Sequence, residues 1–129
     1  MLINLIKSYN GNFQYYDEVK LLIDSVINNP KYIGGTDSLD SRIMMITNKK
    51  VFCKGGAEGV FIFIHLIKGI SGIIKIEDGN ERAIPSAVFE IFKKLRILSN
   101  SELNKLKKYY NFNITNHAKI PVGSIKTKL

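Results

Sequence analysis

Two parts of the chain space their apolar residues as a helix does. The first part repeats them at i, i+3, i+4 and i+7, at Val19, Leu22, Ile23 and Val26. This spacing predicts a helix over residues 17–28, capped by Asp17 and ended by Pro30. The second part predicts a helix over residues 85–97, with Pro85 in its first turn, basic and acidic residues on one face and apolar residues on the other.

Between the two helices, the sequence is rich in Val, Ile and Phe. Residues 51–65 and 70–77 are predicted to be two extended strands, joined near Lys68 and Gly69 in an antiparallel pair. Asp78 and Gly79 are a strong turn signal and end the second strand. Residues 31–41 are predicted to be a loop because they contain Gly34, Gly35 and short polar side chains. The following Arg-Ile-Met-Met-Ile-Thr segment fits either a helix or a strand.

The C-terminal third predicts two smaller elements. Ser101 is expected to cap a short helix that carries Leu103, Leu106 and Tyr110. The tail, which contains Pro121 and alternating Ile and Val, fits a final edge strand. Together the patterns predict an α/β (α+β) fold, with helices packed on an antiparallel sheet in a single domain over residues 1–129.

Composition narrows the classes of partner. The net charge is +8, but only 3 of the 19 basic residues are arginine, and the 19 residues are spread along the chain. A solvated basic face is therefore favoured over specific nucleic-acid binding. The longest apolar run, Val60-Phe-Ile-Phe-Ile-His-Leu-Ile67, contains His65 and falls short of a membrane span. The first residues show no signal-peptide pattern, and the single cysteine suits a reducing compartment, so we expect a cytoplasmic protein without membrane contact.

The stretch Cys-Lys-Gly-Gly-Ala-Glu-Gly-Val, at residues 53–60, places a charge inside a strand. Lys54 shares a strand face with Phe52, whereas Cys53 points the other way. A lysine beside apolar groups loses solvation of its charged form and can then act as a general base, and the glycines after it would allow a substrate to approach closely. The alternative is a lysine that protects an edge strand against pairing with another sheet.

Five stretches that cover about residues 29–129 carry a family resemblance: NPKYIGGTDSLDSRIMMI, CKGGAEGV, GIIKIEDGNERA, AVFEIFKKL and NHAKIPVGSIKTKL. In this order they resemble the C-terminal part of the asparaginase II family, the asparaginases of the thermolabile rhizobial type. The resemblance implies a serine β-lactamase-like fold and the hydrolysis of L-asparagine to aspartate and ammonia. It also implies catalysis by serine–lysine pairs, one of them in an early Ser-x-x-Lys motif.

The resemblance assigns roles to particular residues. Lys54 matches the segment that supplies a second catalytic lysine, and the residues after it would shape the substrate pocket: Gly55, Gly56, Ala57, Glu58 and Gly59. Asp40 stands where the rhizobial enzymes carry a zinc-binding cysteine and other members carry an aspartate. One carboxylate is weak support for zinc, so no cofactor is expected, and Asp40 is either a polar loop residue or a group that orients Lys54. Glu58 and Gly59 could also serve only the backbone geometry of a bulge.

The sequence departs from the family in its nucleophile. None of its nine serines is followed by a lysine three residues later, and Thr47 with Lys50 has that spacing only in a predicted turn. We therefore expect an incomplete chain that is inactive alone, with a missing N-terminal half or a homodimer partner as possible complements. The alternatives are a non-catalytic remnant and a basic binding module.

Three further candidates are expected to be structural. His65 and His117 lack metal-ligand spacing, and Cys53 is expected to be a small core residue. Gly-Gly-Ala-Glu-Gly lacks the Gly-Lys-Ser/Thr of a phosphate loop.

Overall fold

The computed structural model describes Gly11, residues 15–107 and residues 113–129. The chain divides into two compact units: the first comprises Met1–Gly56 and Phe61–Ile73, and the second comprises Ala57–Val60 and Ile74–Leu129. Helices and antiparallel strands occur together, which confirms the predicted α+β class. In chain order the first elements are α1 (Tyr16–Asn28), α2 (Pro30–Gly34), α3 (Leu39–Ile46), β1 (Val51–Gly56), β2 (Val60–His65) and β3 (Ile70–Lys75). They are followed by a 3-10 turn (Glu81–Ala83), α4 (Ile84–Lys94), α5 (Asn100–Lys107), β4 (Asn113–Thr115) and β5 (Pro121–Ser124).

Helix α1 is the first predicted helix. It buries Ile23 and Ile27 and contacts β1, as expected for a helix packed on the sheet. The predicted cap is wrong, because Asp17 lies inside the first turn and Tyr15 precedes the helix without a capping hydrogen bond. An acidic residue in the first turn still favours the helix by interacting with its N-terminal dipole.

The predicted loop over residues 31–41 is wrong at both ends. Pro30 occupies the first turn of α2, a position that needs no amide donor. Ser38 caps α3, with its hydroxyl accepting from the amide of Ser41, so Asp40 lies in the first turn of a helix and not in a loop. The Arg42–Thr47 segment, which fitted either a helix or a strand, is helical through Ile46.

The sheet has three strands in the order β1-β2-β3. Antiparallel pairing extends beyond the strand ends, where the Leu66 amide donates to the Lys50 carbonyl and the Ile76 amide to the Gly59 carbonyl, both at 2.9 Å. The prediction of one continuous strand over residues 51–65 is wrong. The chain reverses between β1 and β2 through Glu58 and Gly59, whose φ values of 57° and 67° are typical of the central pair of a type I′ turn.

The core of the first unit lies where α1 and α3 meet β1. Both faces of β1 are covered, because Val51, Phe52 and Cys53 are all buried. The prediction that Cys53 is a small core residue is confirmed, and burial raises the pKa of its thiol well above the ordinary value. Other buried apolar side chains among the described residues of this unit include Ile23, Ile27, Ile43, Met44, Phe61, Phe63, Ile64 and Leu66.

In the second unit, α4 confirms the second predicted helix. It has Pro85 in its first turn and buries Val88 and Phe92. The cap of α5 is Ser99 and not Ser101: the Ser99 amide and hydroxyl bond to the Glu102 carboxylate, and the Glu102 amide bonds back to the hydroxyl. Leu103 and Leu106 lie in this helix, as predicted, and are buried, whereas Tyr110 lies outside the described residues.

The tail of the chain forms its own ribbon. Strands β4 and β5 pair antiparallel, with Ile114 opposite Gly123. The predicted final edge strand is confirmed as β5, which pairs with β4 in a separate two-stranded sheet. No helix in the described part of the chain is long and apolar enough to cross a membrane.

Candidate functional site

Lys54 and Asp40 form an ion pair in the first unit. The ammonium nitrogen of Lys54 lies 3.3 Å from Oδ2 of Asp40. The two side chains differ in exposure: that of Asp40 is 4% exposed and that of Lys54 is 43% exposed. A buried carboxylate therefore holds a lysine whose ammonium group is within reach of solvent.

The carboxylate of Asp40 is surrounded by hydrogen-bond donors. Oδ1 accepts from the Ser38 hydroxyl and, at 2.9 Å, from the Ser41 amide. Oδ2 accepts from the Gly55 amide at 3.1 Å and from Lys54. Because an ionised carboxylate offers about four acceptor positions, its capacity is fully used.

These contacts determine the ionisation of Asp40. Burial acts to raise the pKa of Asp40, but hydrogen bonds from Ser38, Gly55 and Ser41 and the charge of Lys54 outweigh it, so the pKa lies below its ordinary value. The carboxylate is therefore ionised at neutral pH and supplies a fixed negative charge beneath Lys54.

The local sequence builds this arrangement from two short helices. Ser38 ends the connection between α2 and α3, and its hydroxyl contacts both Asp40 and the Ser41 amide. The hydroxyl of Ser41 donates to the Pro30 carbonyl at 2.8 Å, which ties the start of α3 to the start of α2. Gly34 leaves room for the carboxylate, since a Cβ atom on it would lie 2.1 Å from Oδ1 of Asp40.

Lys54 makes a second contact within its own strand. Its ammonium donates to the Gly55 carbonyl at 2.7 Å. The pairing with Asp40 and this contact use two of the three N–H groups of the ammonium. The surroundings differ from the apolar setting expected from Phe52, because both direct partners of the ammonium are oxygen acceptors.

The glycine-rich stretch after Lys54 is divided between the two units. In the first unit, a Cβ on Gly55 would lie 3.8 Å from Oδ2 of Asp40, and Gly56 is an exposed residue at the end of β1. In the second unit, Ala57 and Glu58 are exposed in the turn, whereas Gly59 is buried. The structure thus brings together Asp40, Lys54 and Gly55 among the predicted site residues.

In the second unit, the turn before β2 contacts the turn after β3. A Cβ on Gly59 would lie 2.9 Å from Cβ of Ile76 and 3.1 Å from the carbonyl carbon of Gly79. The ammonium of Lys75 donates to the Glu58 carbonyl. Gly59 therefore serves close packing between two turns, which supports the structural alternative for that residue.

Asp78 and Gly79 form a turn, as predicted. The Asp78 carboxylate accepts from the Asn80 amide at 2.9 Å and from the Arg82 guanidinium at 2.6 Å, and Gly79 has a φ of 73°. Both acceptor atoms of Asp78 are engaged in local contacts that stabilise the turn.

The surroundings of Asp40 do not fit a zinc site. Its four donors leave no lone pair for a metal ion, and one of them is itself a cation. Within residues 15–107 and 113–129, no group of three or more His, Cys, Asp or Glu side chains is arranged to hold a metal. His65 is buried and accepts from the Lys68 amide through Nδ1 at 3.2 Å, and His117 is exposed in the β4–β5 connection.

Sequence reasoning missed three contributors to the site: Gly34, Ser38 and Ser41. Ser38 could have been recognised from the sequence, because a serine whose hydroxyl can accept from an amide three residues later is a common N-cap of a helix. Ser41 supplies that amide. Gly34 carries no such signal, since its role is to leave space for a side chain six residues away.

Comparison with known proteins identifies the family. No curated protein matches the chain. The sequence profile described as L-asparaginase II matches residues 2–127, which is nearly the whole chain. The chain therefore belongs to the L-asparaginase II family.

Proposed function

We propose that this chain takes part in the hydrolysis of L-asparagine to aspartate and ammonia, with Lys54 as a catalytic residue. The family assignment suggests asparagine as the substrate. The observation that carries the proposal is the pairing of Lys54 with buried Asp40, next to Gly55. A lysine that only protects a sheet edge needs no buried counter-ion.

The proposed reaction has two steps. A hydroxyl nucleophile attacks the side-chain carboxamide carbon of asparagine, the C–N bond breaks, and the nitrogen leaves as ammonia after taking a proton. Water then attacks the resulting ester, which releases aspartate and restores the hydroxyl. The sequence has no Ser-x-x-Lys, so the nucleophile is proposed to come from a polypeptide that carries this motif, either an N-terminal half or a partner subunit.

The other predicted site residues have supporting roles in the proposal. Asp40 holds Lys54, and Gly55 and Gly56 leave the strand open beside it. Ala57, Glu58 and Gly59 are proposed to shape the substrate pocket through the turn that they form. The proposal also includes a serine β-lactamase-like fold for the complete enzyme, a cytoplasmic location and no metal cofactor.

The test measures ammonia release from asparagine with purified proteins. The chain alone should release none above background, and activity should appear when a family polypeptide carrying Ser-x-x-Lys is supplied in fusion or in a mixture. The matched control replaces the serine of that motif by alanine, and it should abolish the gained activity. Reproducible turnover by the chain alone would contradict the need for a complement. No turnover in any combination would contradict the amidohydrolase assignment.

A further inference from the structure

The contacts of Lys54 bear on the chemical form in which it works. A general base must be neutral, with its lone pair directed at the proton that it accepts. Here Lys54 donates to Oδ2 of Asp40 and to the Gly55 carbonyl, and both atoms are acceptors. A protonated ammonium satisfies both acceptors with one N–H remaining, and a neutral amine satisfies them with its lone pair remaining, so the charge on Asp40 decides between the two forms.

The environment of Asp40 strengthens the case for a charged lysine. Its carboxylate is buried, and three of its four donors are neutral groups from Ser38, Ser41 and Gly55. Lys54 supplies the positive charge. If Lys54 lost its proton, a buried anion would remain without a counter-charge, which is unfavourable in a region of low dielectric constant.

We propose that Asp40 is a positioning residue that holds the Lys54 ammonium in place, so that Lys54 acts on the substrate as a charged hydrogen-bond donor and not as a proton acceptor. The two acceptors hold two of its N–H groups, and the third is left to bind an oxygen atom of the substrate. The chemical group recognised is the carboxamide oxygen, on which negative charge develops as the nucleophile adds. This inference rests on the proposed function, since it specifies what Lys54 does there.

Gly34 and Ser38 also help to fix the position of the Asp40 carboxylate. The Cβ position of Gly34 lies 2.3 Å from the Ser38 hydroxyl and 2.1 Å from Oδ1 of Asp40, so the carboxylate and its donor occupy space that any side chain would fill. Asp40 is thereby held from the side opposite Lys54, with Oδ1 bound by α3 and its cap and Oδ2 facing β1. The negative charge is fixed in place before any ligand arrives.

The first arm of the test is NMR of the chain labelled with ¹⁵N-lysine, with the Lys54 signal assigned by its absence in Lys54→Gln. An ammonium held by hydrogen bonds exchanges slowly with water, so Lys54 should give an Hζ–Nζ correlation. Asp40→Asn should remove this correlation, whereas the matched control Asp37→Asn, at an exposed acidic residue paired with Arg42, should retain it. A Lys54 correlation that persists unchanged in folded Asp40→Asn would overturn the positioning role.

Wild-type protein provides the same test if Asp40→Asn fails to fold. During an acid titration, the Nζ chemical shift of Lys54 should change with the same midpoint as the carboxyl carbon of Asp40. If the Nζ chemical shift of Lys54 did not change as Asp40 titrates, the positioning role would be overturned.

The second arm measures turnover of asparagine in the complemented enzyme. Lys54→Arg keeps the positive charge and can pair with Asp40, so it should retain turnover to within about tenfold, whereas Lys54→Gln should lose about 100-fold or more. Equal losses in both variants would overturn the charged-donor role and leave the proposed function standing. If the wild-type complemented enzyme is inactive, the proposed function falls and the donor role with it, while the NMR arm still decides whether Asp40 positions Lys54.

Discussion

Gly34 and Asp40 are so close that a Cβ atom on Gly34 would lie 2.1 Å from Oδ1 of Asp40 and 2.8 Å from its Cγ. No real Cβ contact is this short, so the carboxylate fits only because residue 34 has no side chain. The backbone of Gly34 does not adopt a left-handed conformation, and the requirement for glycine is therefore one of space. A change in the backbone at Gly34 would therefore move the carboxylate that pairs with Lys54.

Gly34→Ala should destabilise the protein by about 1–3 kcal/mol, the usual cost of forcing extra atoms into a packed site. Asp40 would have to move away from donors that include Ser38 and Ser41. Urea unfolding measures the change. Lys31→Ala, an exposed change in the same helix, is the matched control and should alter the free energy of unfolding by less than about 0.5 kcal/mol. If both variants unfold at the wild-type urea midpoint, the close approach is not required.

The turn between β1 and β2 predicts opposite effects at adjacent residues. Gly59→Ala should cost about 1–3 kcal/mol, because the new Cβ would lie 2.9 Å from Cβ of Ile76 at a φ of 67°. Glu58→Gly should be neutral or stabilising by up to about 1 kcal/mol, because glycine adopts a φ of 57° without steric strain. Thermal or urea unfolding of the two variants measures whether each substitution lowers or raises the free energy of unfolding. Destabilisation by Glu58→Gly as large as that by Gly59→Ala would contradict the turn assignment.

The sequence predicted well those elements whose apolar spacing is regular. Helices α1 and α4 follow from the spacing around Val19 and Val88, and the β2–β3 pair follows from its β-branched and aromatic residues. The β1–β2 turn was missed because the apolar residues 51–53 and 60–64 both fit an extended strand and the turn between them lacks an Asn-Gly or Asp-Gly pair. Strand β4 and its pairing with the predicted final strand β5 were missed, because local pattern does not state which strand is the partner.

The candidate site was predictable only in part. Lys54 and Asp40 stood out by resemblance, but their contact joins residues fourteen positions apart and depends on α3 lying against β1. An apolar setting was expected for Lys54 because Phe52 lies on the same face of the strand. The alternation of side chains along a strand gives no information on which residues a neighbouring helix places against that face. Helix α3 supplies the buried carboxylate.

The lowered pKa of Asp40 predicts how stability depends on pH. A carboxyl group whose pKa is lower in the folded than in the unfolded protein stabilises the fold above the unfolded value, about 3.9 for aspartate, and this contribution is lost as pH falls through the folded value. Asp40→Asn should therefore destabilise the protein most at neutral pH, and its difference from wild type should shrink below about pH 4. Unfolding free energies across the acid range measure this. A difference that stays constant, or grows, as pH falls would contradict the ionised, stabilised carboxylate.

The central claim is that Lys54 is a catalytic residue, and its most direct test is the turnover number of the complemented enzyme with Lys54→Ala. Loss of one positioned donor or proton-transfer group costs on the order of 100-fold or more, so turnover of asparagine should fall by at least that factor. Loss of the ion pair with buried Asp40 should also lower the urea midpoint, so turnover is measured where urea unfolding shows the variant to be folded. Lys94→Ala, at an exposed lysine in the last turn of α4, is the matched control and should leave turnover unchanged. Turnover within about threefold of wild type in Lys54→Ala would contradict the claim, because it falls far short of the expected loss.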